Sequence, residues 1–150
     1  MALHETIQND LKAALLGGDR FKVDVLRNLR AAVLAEEVTQ NKREVGLSDD
    51  EIEKIIAKEV KKRAESIKLY EENGRPELAE SERLESGVLQ EYLPSQLSES
   101  EVSKIVEQTI DEMGAKGMQA MGLVIKTVKE KVGNTADGSL IARLVKEQLQ

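Results

Sequence analysis

Apolar residues recur every three or four positions along most of this chain, and residues that begin or end helices separate the runs. This spacing places the apolar side chains on one face of an α-helix. No segment convincingly shows the alternation of apolar and polar residues that is typical of a strand. Only three of the 150 residues are aromatic, so aliphatic side chains must build the core. The sequence therefore predicts an all-α, multihelical fold.

Four long helices are predicted in the N-terminal part of the chain. The first ends at Gly17-Gly18, because glycine readily takes the left-handed conformation that closes a helix. The second is expected from about Asp19 to Lys42. Its buried face is predicted to include Phe21 and Leu26.

The third and fourth predicted helices have clearer boundaries. Ser48-Asp49-Asp50-Glu51 has the spacing of a capping box, and Asn73-Gly74 is a stop signal. Pro76 suits the first turn of the fourth helix, which is expected to bury Leu78 and Leu84. Pro94 is predicted to stop that helix.

Three shorter helices are predicted in the remainder of the chain. Ser98-Glu99-Ser100-Glu101 repeats the capping box, and Gly114 ends the helix that it opens. Further helices are expected from about Met118 to Val132 and from about Ser139 to Leu149. Because the helices shorten after residue 94, two domains are predicted, a four-helix region over residues 1–94 and a small three-helix region over residues 98–150.

The composition of the chain argues against several kinds of functional site. The chain has no cysteine and a single histidine, His4, so neither a zinc site nor a cysteine nucleophile is expected. The acidic start Asp49-Asp50-Glu51 could hold Mg²⁺, but acidic residues at a helix start more often complement the helix dipole. We predict no metal and no cofactor. With no basic leader and no long uncharged apolar run, the chain is expected to be cytoplasmic and not membrane-bound.

Positive charge is concentrated near the C-terminus. Residues 115–150 contain six Lys and Arg against three Asp and Glu, whereas the whole chain has a net charge of −6. Helical spacing places Lys126 and Lys129 on one flank of the sixth predicted helix, opposite an inward row that includes Met118. Arg143 and Lys146 lie on the outward side of the seventh. These four residues are the candidate contacts to a nucleic acid backbone.

The loop before the seventh predicted helix allows two interpretations. Asp137 could be the N-cap, with its carboxylate occupying the free amides of the first turn. Alternatively, the same amides could bind a phosphate. We favour the cap, because a phosphate placed there would be repelled by the carboxylate.

Several segments carry a resemblance to a known family, in the family's order and spacing. The segments are Val25–Ala32, Lys58–Arg63, Tyr92–Ser98, Met121-Gly122 and Ala136–Lys146. On these residues the chain resembles the GatB/YqeY family, specifically its small free-standing YqeY-like members. It departs from the family pattern at Asn134 and Thr135, where a glycine and a basic residue are usual.

The resemblance implies an association with aminoacyl-tRNA amidation. The C-terminal region is similar to the tail domain of the Asp/Glu-tRNA amidotransferase B subunit, which helps to hold tRNA. tRNA and a protein of the amidation machinery are therefore the implied partners. The family label also carries a carbon–nitrogen ligase activity with glutamine as the amide donor.

Catalytic residues for such a ligase are not visible in this chain. Glutamine hydrolysis needs an activated nucleophile, either Cys with His or a serine in a Gly/Ser-rich segment, and Gly17-Gly18-Asp19 lacks the spacing of a P-loop. We therefore predict a noncatalytic or accessory tRNA-interacting protein. Two alternatives stay open, a helical protein–protein adaptor with no RNA role and, less favoured, a stand-alone ligase.

Overall fold

The computed structural model describes residues 2–150, and over those residues the chain is helical with no β-strand. The all-α prediction is confirmed. The α-helices are α1 (Leu3–Gly17), α2 (Arg20–Thr39), α3 (Asp49–Glu72), α4 (Pro76–Gln90), α5 (Glu99–Met113), α6 (Met121–Val132) and α7 (Gly138–Leu149). Short 3-10 turns, Met118–Ala120 and Gly133–Thr135, precede α6 and α7. No helix among the described residues has the length and apolar character needed to cross a membrane.

Contacts divide the chain into two compact units. Unit 1 runs through Leu93 and contains α1 to α4, and unit 2 runs from Pro94 to Gln150 and contains α5 to α7. Each unit has its own cluster of buried apolar side chains. Independent folding of residues 1–94 and 98–150 as domains remains a prediction.

The core of unit 1 is formed by aliphatic side chains from all four of its helices. Leu26 of α2 and Ile52 and Ile56 of α3 are almost completely buried, together with Leu89 of α4. Phe21 was expected in this core, but it is exposed, and Val23 is buried instead. The prediction for Phe21 was wrong because this residue lies outside the buried face of α2, which Val23, Leu26 and Leu29 define.

The second helix ends three residues before the predicted Lys42. Asn41 takes a positive φ of 55°, and the amide of Lys42 donates to the carbonyl of Glu37 across 2.7 Å. This backbone pattern closes a helix through a residue in the left-handed conformation, usually glycine and sometimes asparagine. Asn41 is the stop signal that the sequence interpretation missed.

The helices α3 and α4 form the most extensive pairing in unit 1. The predicted capping box is present at Ser48, whose hydroxyl accepts from the amide of Glu51. The residues of α4 that face α3 include the small Ala79 and Ser86, which allow the helices to approach closely. Leu78 and Leu84 lie outside the buried part of this contact and are exposed, so the prediction that they are buried was wrong.

The core of unit 2 is a continuous set of aliphatic side chains on three helices. The fully buried members are Val102 and Val106 of α5, Val124 and Val128 of α6, and Ile141 and Val145 of α7. The capping box at Ser98 and the left-handed Gly114 bound α5 as predicted. The three short helices thus pack against one another through β-branched residues, and their polar faces are exposed.

The start of the sixth helix differs from the sequence prediction. α6 begins at Met121 and not at Met118, because Gly117 has a positive φ of 78° and leads into a 3-10 turn. This turn rotates Met118 out of the buried row, and its side chain is 43% exposed. Val124, which was not predicted to face inward, is fully buried in that row.

Candidate functional site

The flank of α6 opposite its buried valines carries two lysines. Val124, Val128 and Val132 face the core, and Lys126 and Lys129 are both exposed. Since residues three apart on a helix are neighbours, these lysines form a pair on one surface. Within residues 2–150, neither Lys126 nor Lys129 makes an ion pair or a side-chain hydrogen bond.

Lys129 reaches from α6 to the first residue of α7. Its Nζ lies 3.4 Å from the position that a Cβ would take at Gly138. The N-terminus of an α-helix carries a partial positive charge, so the ammonium group and the helix end raise the local potential together. An anion placed near both would be attracted by both.

Asp137 occupies the N-cap position of α7, as one of the two sequence interpretations required. Its carbonyl accepts from the amide of Ile141 across 3.1 Å, but its side chain makes no capping hydrogen bond. The favoured interpretation was therefore wrong in the role it gave to the carboxylate. The first-turn amides of α7 are not occupied by the Asp137 side chain.

The outward face of α7 carries the other two candidate residues, and they differ in their surroundings. The guanidinium of Arg143 contacts Glu99 of α5 at 2.5 Å and Glu147 at 3.1 Å. Hydrogen bonds to Glu99 and then to Glu147 raise the pKa of Arg143. Lys146, one turn further along α7, is exposed and has no ion-pair partner among the described residues.

Lys131, on the opposite flank of α6, belongs to an internal contact. Its Nζ donates to Thr109 at 2.9 Å and to Glu112 at 2.8 Å, and both partners lie on α5. Because Thr109 is completely buried, this lysine helps to fix α6 against α5. The candidate cations Lys126, Lys129, Arg143 and Lys146 are from here called the basic surface, and Lys131 is not part of it.

The loop before α7 is held by the segment that precedes α5. The Leu97 amide donates to the carbonyl of Thr135 at 2.8 Å, and the Gln96 side chain donates to that of Asn134 at 3.0 Å. These bonds fix the backbone between α6 and α7. The sequence interpretation missed this support, since nothing local to Gln96 indicates a partner 38 residues away.

Several basic residues of α3 form ion pairs, whereas Lys58 and Lys68 form none within residues 2–150. Lys54 contacts Asp50 at 3.2 Å, and Arg63 contacts Glu59 at 3.1 Å and Glu85 of α4 at 3.4 Å. The Arg63 side chain is only 13% exposed. Arg63 thus connects α3 to α4, whereas the Lys54–Asp50 pair lies within α3.

The acidic start of α3 is engaged in local contacts. Asp49 accepts from the amide of Leu3 at 3.0 Å, and Glu51 contacts Lys42 at 3.0 Å in addition to its capping bond. The hydrogen bond with Lys42, followed by that with the Ser48 amide, lowers the pKa of Glu51. Within the described residues, no group of three or more His, Cys, Asp or Glu side chains is arranged to hold a metal ion.

Comparison with known proteins gives one family match across nearly the whole chain. A family model for Yqey-like proteins matches residues 4–149. Among curated proteins, the glutamyl-tRNA(Gln) amidotransferase E subunit of Thermococcus gammatolerans is 30% identical over 99% of this chain and 24% of that relative. The chain thus spans about a quarter of the length of this relative.

Mitochondrial proteins form the second group of relatives. Altered inheritance of mitochondria protein 41 of Clavispora lusitaniae is 22% identical over 89% of this chain and 78% of the relative. Its counterpart in Eremothecium gossypii is 33% identical over 58% of this chain and 46% of the relative. Nearly the whole chain is therefore similar to part of an amidotransferase subunit and to much of a smaller protein.

Proposed function

The chain belongs to the family of Yqey-like proteins, and from this premise we propose that it is a noncatalytic, accessory protein that contacts tRNA in the context of aminoacyl-tRNA amidation. The family relation to tRNA-dependent amidotransferase subunits supports that context. The proposed contact is the basic surface of unit 2. Its proposed role is to bind the phosphate backbone while a partner protein supplies the chemistry.

The strongest support for this proposal is a set of lysines without acidic partners. Lys126, Lys129 and Lys146 are exposed and have no ion-pair partner within residues 2–150. Lys131 of the same unit, by contrast, is paired with Glu112. Three unpaired ammonium groups on α6 and α7 are available to phosphates.

The position of Lys129 supports an anionic ligand more specifically. An ammonium beside the N-terminus of α7 gains nothing from the helix dipole, which favours cations at the opposite end. A phosphate oxygen between Lys129 and the first turn of α7 would be stabilised by both, and the carboxylate of the neighbouring Asp137 would oppose part of this attraction. Arg143 would contribute less, because Glu99 and Glu147 already share its guanidinium.

Acidic side chains limit the strength of the proposed contact. Glu99, Glu101, Glu107, Asp111 and Glu112 lie on α5 and leave unit 2 as a whole without a positive surplus, so the excess of basic residues is local to α6 and α7. We therefore propose a weak contact through about three phosphates. Specific recognition of one tRNA would need a second surface or a partner protein.

The salt dependence of tRNA binding tests this proposal. Binding of unfractionated tRNA, measured by fluorescence anisotropy, should weaken with a slope of about −2 to −3 in log affinity against log salt, since each phosphate contact contributes roughly 0.7 to 0.9. A double-stranded DNA of equal charge should show a similar slope, because phosphate contacts carry little sequence information. Absence of binding at low salt, or binding that is independent of salt, would exclude the proposed surface.

A protein–protein adaptor is the second candidate, and the distal part of the α3–α4 pair favours it. Leu69, Leu78 and Leu84 are exposed there, with Leu84 at 55%. Contiguous exposed apolar patches mark contacts between proteins, and these three leucines are the exposed large apolar residues of α3 and α4. This role is compatible with tRNA contact through unit 2, because it uses different residues.

A further inference from the structure

Unit 1 contains a cleft that the proposed tRNA contact does not use. It lies between α1, α2, the start of α3 and the loop that joins α2 to α3, and its volume is about 340 Å³. The apolar wall consists of Ile7, Val33, Leu34 and Ile52. Small-molecule sites in proteins are commonly clefts of roughly 300 to 1,000 Å³ with mainly apolar walls.

Two arginines line this apolar cleft. Arg30 comes from α2 and Arg43 from the loop, and both are exposed with no ion-pair or side-chain hydrogen-bond partner within residues 2–150. Residues 1–94 contain 20 Asp and Glu against 15 Lys and Arg, so the two arginines give this cleft a charge opposite to that of the surrounding part of the chain. The cleft therefore combines an apolar interior with a cationic rim.

A carboxylate among the lining residues limits the negative charge that a bound ligand is expected to carry. Glu37 is the carboxylate among the lining residues, and it lies on α2 about two turns beyond Arg30. Its side chain has no ion-pair partner in the described part of the chain. With Glu37 counted against the two arginines, the charged lining side chains carry a net charge of +1, which a single carboxylate would neutralise.

We propose that this cleft binds a small monocarboxylate with an apolar chain. The carboxylate would lie between Arg30 and Arg43, because a guanidinium donates two parallel hydrogen bonds to a carboxylate. The apolar chain would lie on Leu34, next to the buried side chains of Ile7, Val33 and Ile52. Burial of that chain supplies the binding free energy, and the arginines set its orientation.

Exposure of the wall residues favours a small ligand over a segment of a partner protein. Ile7, Val33 and Ile52 are each more than 90% buried, and only Leu34, at 46% exposed, offers a broad apolar surface. A docking helix needs a row of exposed apolar residues along its groove. A single alkyl chain needs no such row, because it can lie on Leu34 alone.

Octanoate is a suitable probe, with octyltrimethylammonium as the matched ligand of opposite charge. Carbon-13 methyl spectra of the full chain should show saturable shifts at Ile7 and Ile52 with octanoate, and a dissociation constant at least about tenfold weaker for the cation. Arg30→Gln and Arg43→Gln should each weaken octanoate binding by about five- to tenfold. Arg27→Gln is the control, because Arg27 is exposed on α2 and does not line this cleft.

Three outcomes would overturn the proposal. The first is the absence of saturable shifts with octanoate while the spectrum confirms a folded protein. The second is equal binding of the two ligands, or octanoate binding that is unchanged in a variant that carries both Arg30→Gln and Arg43→Gln. The third is a set of shifts that depends on protein concentration alone, which would assign the cleft to a second copy of the chain.

Discussion

Replacing Lys126, Lys129 and Lys146 together by glutamine is expected to weaken tRNA binding by about 100-fold or more near 0.1 M salt. Each lost phosphate contact removes roughly 0.7 to 0.9 from the salt slope, which corresponds to about five- to eightfold in affinity per decade of salt below 1 M. The slope itself should fall to near zero. Anisotropy titrations of the variant and the parent protein over a range of salt concentrations measure both quantities.

A control with the same change in net charge separates the basic surface from a general electrostatic effect. Lys12, Lys58 and Lys68 are exposed on unit 1 and take part in no ion pair within residues 2–150. Replacing these three by glutamine should leave the slope unchanged and lower affinity only slightly. Equal losses in the two triple variants would contradict a localised contact.

Replacing Ile141 by alanine is expected to unfold much of unit 2 and to lower its melting temperature by about 10 to 25 °C. Ile141 is completely buried between the three helices, and truncating such a side chain costs about 2 to 5 kcal/mol. A unit of this size has a total stability of only about 3 to 9 kcal/mol. In small domains each kcal/mol changes the melting temperature by about 4 to 8 °C.

Thermal unfolding followed by methyl NMR resolves the two units in the full chain. Signals of Val102 and Val106 should be lost at lower temperature in the Ile141→Ala variant, whereas those of Leu26 and Ile56 in unit 1 should persist. Leu140→Ala is the control, because Leu140 is only partly buried and should cost about 1 kcal/mol. Simultaneous loss of all signals would contradict the predicted independence of residues 1–94 and 98–150.

Much of the fold was readable from the sequence because its signals are local. The capping boxes at Ser48 and Ser98 and the stop at Gly114 act over four or five residues, and the structure confirms each of them. One error occurred at Asn41, where a left-handed backbone conformation ends a helix without a glycine. Another occurred at Met118, which a 3-10 turn moves out of the buried row. The burial of Leu78 was predicted wrongly because periodicity shows which residues share a helix face but not which of them a neighbouring helix covers.

The candidate site was less predictable, because its electrostatics depend on distant residues. Periodicity places Lys126 and Lys129 on the flank of α6 opposite its buried row. It could not show that Arg143 contacts Glu99, which is 44 residues away, or that Lys129 reaches Gly138 of the next helix. Ion pairs between helices depend on how the helices pack, so the sequence alone could not distinguish unpaired basic residues from paired ones.

The most direct test of the proposed role is photochemical crosslinking of the protein to tRNA that carries a photoreactive uridine, with the crosslinked peptides identified by mass spectrometry. We expect crosslinks to peptides from residues 121–149, with the strongest around Lys126 and Lys129 and with loss at high salt. Crosslinks confined to α1 to α4, or capture of protein neighbours with no RNA adduct, would contradict tRNA contact through the basic surface and favour the adaptor.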